Sequence, residues 1–129
     1  MTYDRQSDRI AFFGGGGRTS TYDYNSNVWR DMQPAASPPD RSGYRMASDA
    51  GSDRVILFGG YVSFNDTLAY DYETNTWSKM NPGVAPLGRH YHSMAYDAKL
   101  DRVILFGGHN GICCNDTWAY DYDPDTCVE

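Results

Sequence analysis

The stretch Asp53-Arg54-Val55-Ile56-Leu57-Phe58-Gly59-Gly60 recurs residue for residue at Asp101-Arg102-Val103-Ile104-Leu105-Phe106-Gly107-Gly108. A relaxed copy, Asp8-Arg9-Ile10-Ala11-Phe12-Phe13-Gly14-Gly15, lies upstream, so the copies start 45 and then 48 residues apart. A second element follows each copy: Tyr22-Asp23-Tyr24, Tyr70-Asp71-Tyr72 and Tyr120-Asp121-Tyr122. A third precedes each: Met1-Thr2-Tyr3-Asp4, Met46-Ala47-Ser48-Asp49 and Met94-Ala95-Tyr96-Asp97. Three elements in one order, three times over, make an internal repeat, and a period of this length belongs to stacked or radial arrays.

Each unit reads as four strands. The first is the Met-containing stretch, Tyr91 to Tyr96 in the third unit. The second is Val55 to Phe58 or Val103 to Phe106, an unbroken apolar run that suits a strand covered on both faces. The third is Leu68 to Tyr72 or Trp118 to Tyr122, and the fourth Thr76 to Met80 or Val28 to Met32. Polar triplets join third to fourth: Asn25-Ser26-Asn27, Glu73-Thr74-Asn75 and Asp123-Pro124-Asp125, all turn formers. No helix of useful length is expected. Pro34, Pro38 and Pro39, then Pro82 and Pro86, mark the connections between units.

Composition narrows the function classes. The chain has 129 residues, the size of one domain. At 40% hydrophobic and 15% aromatic it is too apolar for disorder. A formal charge of −6 and a pI near 4.8 argue against nucleic acid as a partner. No apolar run approaches the roughly 18 residues of a membrane span. Met1-Thr2-Tyr3-Asp4-Arg5 lacks the pattern of a signal peptide, which leaves the cytoplasm as the default location. Three cysteines, Cys113, Cys114 and Cys127, are too few for a disulfide scaffold.

The pattern resembles the kelch repeat. The residues that carry the resemblance are a double glycine after a strand, then Tyr, then Trp after six intervening residues. Gly59-Gly60, Tyr70 and Trp77 fit, as do Gly14-Gly15, Tyr22 and Trp29. The third unit keeps Gly107-Gly108 and Tyr120 but has Cys127 in the Trp place, either as a core substitution or as an exposed thiol. Arg41-Ser42-Gly43-Tyr44 and Arg89-His90-Tyr91-His92 look like the family's entry to strand one. The resemblance covers essentially the whole chain. It implies an all-β fold of three four-stranded antiparallel blades of a partial kelch-type β-propeller, with blades at 1–40, 41–88 and 89–129.

Propellers close with 4–8 blades, and this chain carries three units. If each open flank exposed ~500 Å² of apolar surface, ~12 kcal/mol of burial per flank would be missing at about 25 cal/mol/Å². Met1 aligns with the mid-strand Met46 and Met94, and Glu129 follows the Trp position by two residues. The expectation is therefore a piece of a longer propeller, with a homodimer of two three-bladed chains completing six blades as the alternative.

The loop entering strand one and the loop between strands two and three lie at the same end of a blade. The second of these grows along the chain, with six residues between Gly15 and Tyr22, nine between Gly60 and Tyr70, and eleven between Gly108 and Tyr120. The longer loops carry Tyr61, Val62, Ser63 and Phe64, then His109, Asn110, Gly111, Ile112, Cys113 and Cys114. Aromatic residues on variable loops are where binding concentrates. The resemblance implies that this end is a recognition face toward which the entry Arg points. Arg41 and Arg89 are thus candidate ligand contacts, suited to carboxylates, or else structural partners of acidic neighbours. Tyr61, Phe64, His90, His92, His109 and Asn110 join them as candidate binding residues.

Imidazole and thiolate crowd residues 89–114, and zinc and copper prefer those ligands. The spacing matches no standard metal motif, so no metal or cofactor is assigned. The acidic turns lack the Gly and Glu of a calcium loop. Asn65-Asp66-Thr67 and Asn115-Asp116-Thr117 have the form of glycosylation sequons, yet their repeated place before strand three fits side-chain-capped turns. No catalytic constellation is evident. The expected function is a binding module for a protein or peptide partner. The alternatives, drawn from the resemblance, are a carbohydrate-binding surface or a galactose-oxidase-like metal-dependent propeller, for which Tyr91, His90, His92 and His109 would be the candidates.

Overall fold

Alternation of β-branched or aromatic residues with short polar turns builds strands and nothing else. A computed structural model describes residues 1–62 and 64–129, leaving only Ser63 of the singled-out loop residues outside the described set. Twelve strands form among them. The first sheet holds β1 (Thr2–Asp4), β2 (Arg9–Gly14), β3 (Arg18–Asp23) and β4 (Val28–Asp31). The second holds β5 (Arg45–Asp49), β6 (Arg54–Phe58), β7 (Thr67–Asp71) and β8 (Thr76–Met80). The third holds β9 (Ser93–Asp97), β10 (Arg102–Phe106), β11 (Thr117–Asp121) and β12 (Thr126–Val128). Each is a four-stranded antiparallel meander in sequence order. No helix among the described residues is long and apolar enough to cross a membrane.

The register is set by the turns. Asp8, Asp53 and Asp101 enter strand two with φ of 54°, 57° and 55°, and Asn27, Asn75 and Asp125 enter strand four with φ of 57°, 53° and 61°. Asn and Asp tolerate this left-handed conformation because their short polar side chains bond locally. The same turn residue accepts a hydrogen bond from the repeat tyrosine: Tyr22 to Asn27 at 2.8 Å, Tyr70 to Asn75 at 2.8 Å and Tyr120 to Asp125 at 3.0 Å. Each tyrosine then lies directly across from the Trp position, Tyr22 opposite Trp29, Tyr70 opposite Trp77 and Tyr120 opposite Cys127. At the same turns Arg9, Arg54 and Arg102 pair with Asp23, Asp71 and Asp121 at 3.2, 3.1 and 3.0 Å. Strand one of the third blade begins two residues later than the sequence suggests. Tyr91 adopts φ 57° and donates its N–H to the Gly43 carbonyl instead of entering the sheet.

The cores lie between sheets. Ala11 and Phe13 of the first sheet pack on Met46, Val55, Leu57, Leu68 and Tyr70 of the second, flanked by Tyr44 and Trp77. Ala47, Ile56, Phe58 and Ala69 on the other face of the second sheet pack on Val103, Leu105, Trp118, Tyr120 and Cys127 of the third. Among the described residues, only the middle sheet is covered on both faces. Phe58 is 3% exposed, whereas Phe106, the same residue of the identical stretch in the third sheet, is 55% exposed. Cys127 resolves as a core substitution. It is buried, and burial pushes its thiol pKa up to about 11.

Two outcomes follow from this packing. Phe13→Ala empties a fully buried ring site and should lower unfolding free energy by roughly 3–5 kcal/mol, while Leu87→Ala on the surface should stay within about 0.5 kcal/mol, both read from denaturant midpoints. Alkylation of the native protein should modify the exposed Cys113 and leave Cys127 untouched until denaturant is added, as peptide mass mapping would record.

Candidate functional site

At the end of the blades opposite the tyrosine turns, two buried arginines organise the loops. Arg41 precedes β5, and its guanidinium donates to both carboxylate oxygens of Asp66, at 2.5 and 2.9 Å, and to the Gly59 carbonyl at 3.3 Å. Arg89 repeats the arrangement ahead of β9. It forks onto Asp116, the Nη2 bond measuring 2.9 Å, and donates to the Gly107 carbonyl at 3.0 Å. The Nε–H of each arginine goes to the entering loop itself, to the Pro39 and Leu87 carbonyls respectively. Trp118 adds an indole N–H to Asp116 at 2.7 Å. The bonds from Arg89 and then Trp118 hold the Asp116 carboxyl well below the usual carboxylate range. Bidentate pairs of this kind fix geometry as well as charge.

Both arginine side chains are essentially inaccessible to solvent, at 0% and 2%. Their forks are taken up by Asp66 and Asp116, so they stand behind the loop surface and hold it. The aspartates of the Asn-Asp-Thr triplets thus receive the arginine forks. In the first blade the corresponding position is Arg18, which is exposed.

Backbone bonds knit the loops into one surface. Tyr61 N–H donates to the Ser42 carbonyl at 2.6 Å, Gly60 N–H to the Arg89 carbonyl at 2.9 Å, and His90 and His109 exchange a pair of bonds at 3.0 and 2.9 Å. The double glycines make the approach possible. A Cβ on Gly59 would collide with the Arg89 carbonyl, and one on Gly108 would fall 2.9 Å from the His90 carbonyl, with φ of 70° and 98° at the two positions.

On this scaffold Tyr61, His90, Tyr91 and His109 form one aromatic cluster. Ring centroids are 4.9 Å apart for Tyr61–His90, 4.8 Å for His90–Tyr91 and 5.4 Å for His90–His109. Tyr61 and Tyr91 are largely exposed. Phe64 lies beside the cluster with the Arg41 guanidinium 4.0 Å from its ring centroid. Tyr61, Val62 and Phe64, with Asp40, Ser42 and Gly16, line an open groove of about 540 Å³ between the first and second blades. Asn110 is half-buried and closes the third-blade loop by donating its N–H to Ile112.

His92 lies apart from the cluster. It is fully buried, 5.6 Å from Phe58 between the second and third blades, and neither ring nitrogen has a hydrogen-bond partner. Burial, then the charges of Arg45, Arg89 and His90, lower its pKa to about 4. Among the described residues no three His, Cys, Asp or Glu side chains are grouped to hold a metal ion. The part of Tyr91 was hidden in the sequence because it reads as a strand residue. The Arg41–Asp66 and Arg89–Asp116 pairings were partly visible, since each Arg and each Asp recurs at its own repeat position.

A family model for the KLHDC2/KLHL20/DRC7 Kelch-repeats domain matches residues 1–128. No curated protein sequence matches the chain significantly.

The buried histidine gives a pH signature. Neutral His92 is retained on folding, while the unfolded chain takes up a proton near pH 6.5, so this contribution to stability is complete above about 6.5 and is lost as pH falls toward 4. The loss amounts to roughly 3 kcal/mol. His92→Phe keeps a ring against Phe58 and should flatten the stability profile over that window in urea titrations. Asp116→Ala, which strands the Arg89 charge, should cost about 3–5 kcal/mol at neutral pH.

Proposed function

The chain belongs to the kelch-repeat family, and we propose that it acts as a protein-interaction module that engages a protein or peptide partner through the loop end of its blades. Kelch repeats form β-propeller blades and commonly mediate protein–protein contacts. The observation that carries the finer reading is the cluster of exposed Tyr61 and Tyr91 with half-buried His90 and His109, mounted on two buried arginines paired with Asp66 and Asp116. Tyrosine and histidine present flat apolar faces with polar tips at small entropic cost, the composition that dominates interface anchors. Pre-fixed loops bind without a large ordering penalty. Phe64 and the groove beside it extend the contact area toward the first blade.

In this reading Arg41 and Arg89 are positioning residues. Asn110 shapes the third-blade loop, and His92 supports the face from below. The module acts here by binding, in keeping with a generally non-enzymatic family.

The test compares proteins captured by the native chain with those captured by the double variant Tyr61→Ala, His109→Ala and by Leu100→Ala, an exposed change at the opposite end. Specific partners should be lost at least about tenfold with the double variant and retained with Leu100→Ala, with circular dichroism unchanged in both. Equal capture by all three proteins would refute the assignment of the face.

A further inference from the structure

We propose that the groove between the first and second blades receives an arginine side chain from a peptide segment of a partner protein. The inference rests on the reading of the loop end as a recognition face, and it names the chemistry which that face accepts. The groove lies inside the array, where the glycine loop of the first blade meets the entering loop of the second and the loop carrying Tyr61 and Phe64. Its charge is the reverse of what the repeated arginines suggest. Arg41 lines it, but the guanidinium is inaccessible to solvent and forked onto Asp66, so the pair brings no net charge. Arg89 is committed to Asp116 in the same way.

The charge left over in the groove is Asp40. It is exposed, and among the described residues its carboxylate accepts one hydrogen bond, from Gly16 N–H to Oδ1 at 3.3 Å. No Lys or Arg among the described residues pairs with it. Side-chain alternation turns the nearest exposed arginines elsewhere. Thr19 faces the second blade, where it accepts the Trp77 indole N–H at 2.9 Å, so Arg18 beside it points to the opposite face of its sheet. Met46 packs toward the first blade, so Arg45 points toward the third. The net charge of −6 draws basic partners toward the chain as a whole.

The molecule already shows how an arginine is seated. Arg41 lies 4.0 Å from the Phe64 ring centroid and forks onto a carboxylate. The groove offers the same two partner types again, a ring and a carboxylate. Tyr61, 55% exposed, is the ring, Asp40 is the carboxylate, and the exposed Ser42 hydroxyl can accept a further N–H. A planar guanidinium stacks on an aromatic face while donating two parallel hydrogen bonds to a carboxylate, whereas an ammonium acts as a point charge. The glycine side leaves room for it, since a Cβ on Gly15 or Gly16 would meet nothing within 4 Å.

The probes are pools of end-capped peptides, random except for a central Arg, Lys, Glu or Leu, passed over the native chain. The arginine pool should be retained best, at least about tenfold above the glutamate pool, and its retention should fall as ionic strength rises. A peptide selected from it should lose affinity at least about tenfold with Asp40→Asn and with Tyr61→Ala. It should keep its affinity with Leu100→Ala, with circular dichroism unchanged in all three variants. Asp40→Asn keeps the acceptor for Gly16 and removes only the charge, so it reads the ion pair rather than the fold. Retention of another pool as strong as that of the arginine pool would overturn the proposal. So would retention of no pool, or full affinity in Asp40→Asn. Partners captured from lysate that disappear with the Tyr61→Ala, His109→Ala double variant but persist with Asp40→Asn would leave the recognition face standing and overturn the arginine assignment alone.

Discussion

A four-stranded sheet has two apolar faces and cannot bury both alone, and the packing of blade on blade is the constraint from which the rest of the structure follows. Residues 53–60 and 101–108 isolate its effect, since they are identical. In the middle blade Val55, Ile56, Leu57 and Phe58 are all buried; in the third, burial alternates and Phe106 stays exposed. Local sequence makes the strand in both cases, and only the neighbour decides whether the second face is dry. Stability in such arrays is a sum of blade and interface terms, which gives the flanks as much weight as the cores.

The Arg–Asp pairs do a different job at the loop end. A buried ion pair is weak evidence of net stability because desolvation opposes the Coulomb gain, so Arg41 and Arg89 are better understood through what they fix. Each ties three segments of its blade: the entering loop, the end of strand two at Gly59 or Gly107, and the start of strand three at Asp66 or Asp116. The loop backbones then come close enough to exchange hydrogen bonds across the blade boundary at Gly60 and Arg89. The aromatic cluster inherits its spacing from that backbone contact.

Much of this was legible in the sequence, and the reasons are specific. The three blades, the Tyr–Trp pairing and the polar turns repeat, so three copies of a weak local signal add to a strong one. The burial of Arg41 and Arg89 was not legible, because their partners lie 25 and 27 residues away and an acidic residue before a strand also suits a turn. His92 looked like a loop-end residue by its nearness to His90, yet the alternation of side chains from β9 points it inward against Phe58. Tyr91 looked like a strand residue. Its left-handed backbone comes from a contact with Gly43 of the neighbouring blade, which no single repeat encodes.

The loop face and the flanks use separate residues but share one backbone. Tyr61, His90 and His109 sit at the blade ends, and Trp29, Phe106 and Thr117 sit on the outer faces of the first and third blades. The strands that carry Phe106 and Thr117 lead directly into the loop holding His109 and Asn110. Phe106 ends β10 and Thr117 begins β11, and the residues next to them, Gly107 and Asp116, are the two points that Arg89 grips. The outer face of the third blade and its loop end are thus joined through one Arg–Asp pair rather than through any shared contact.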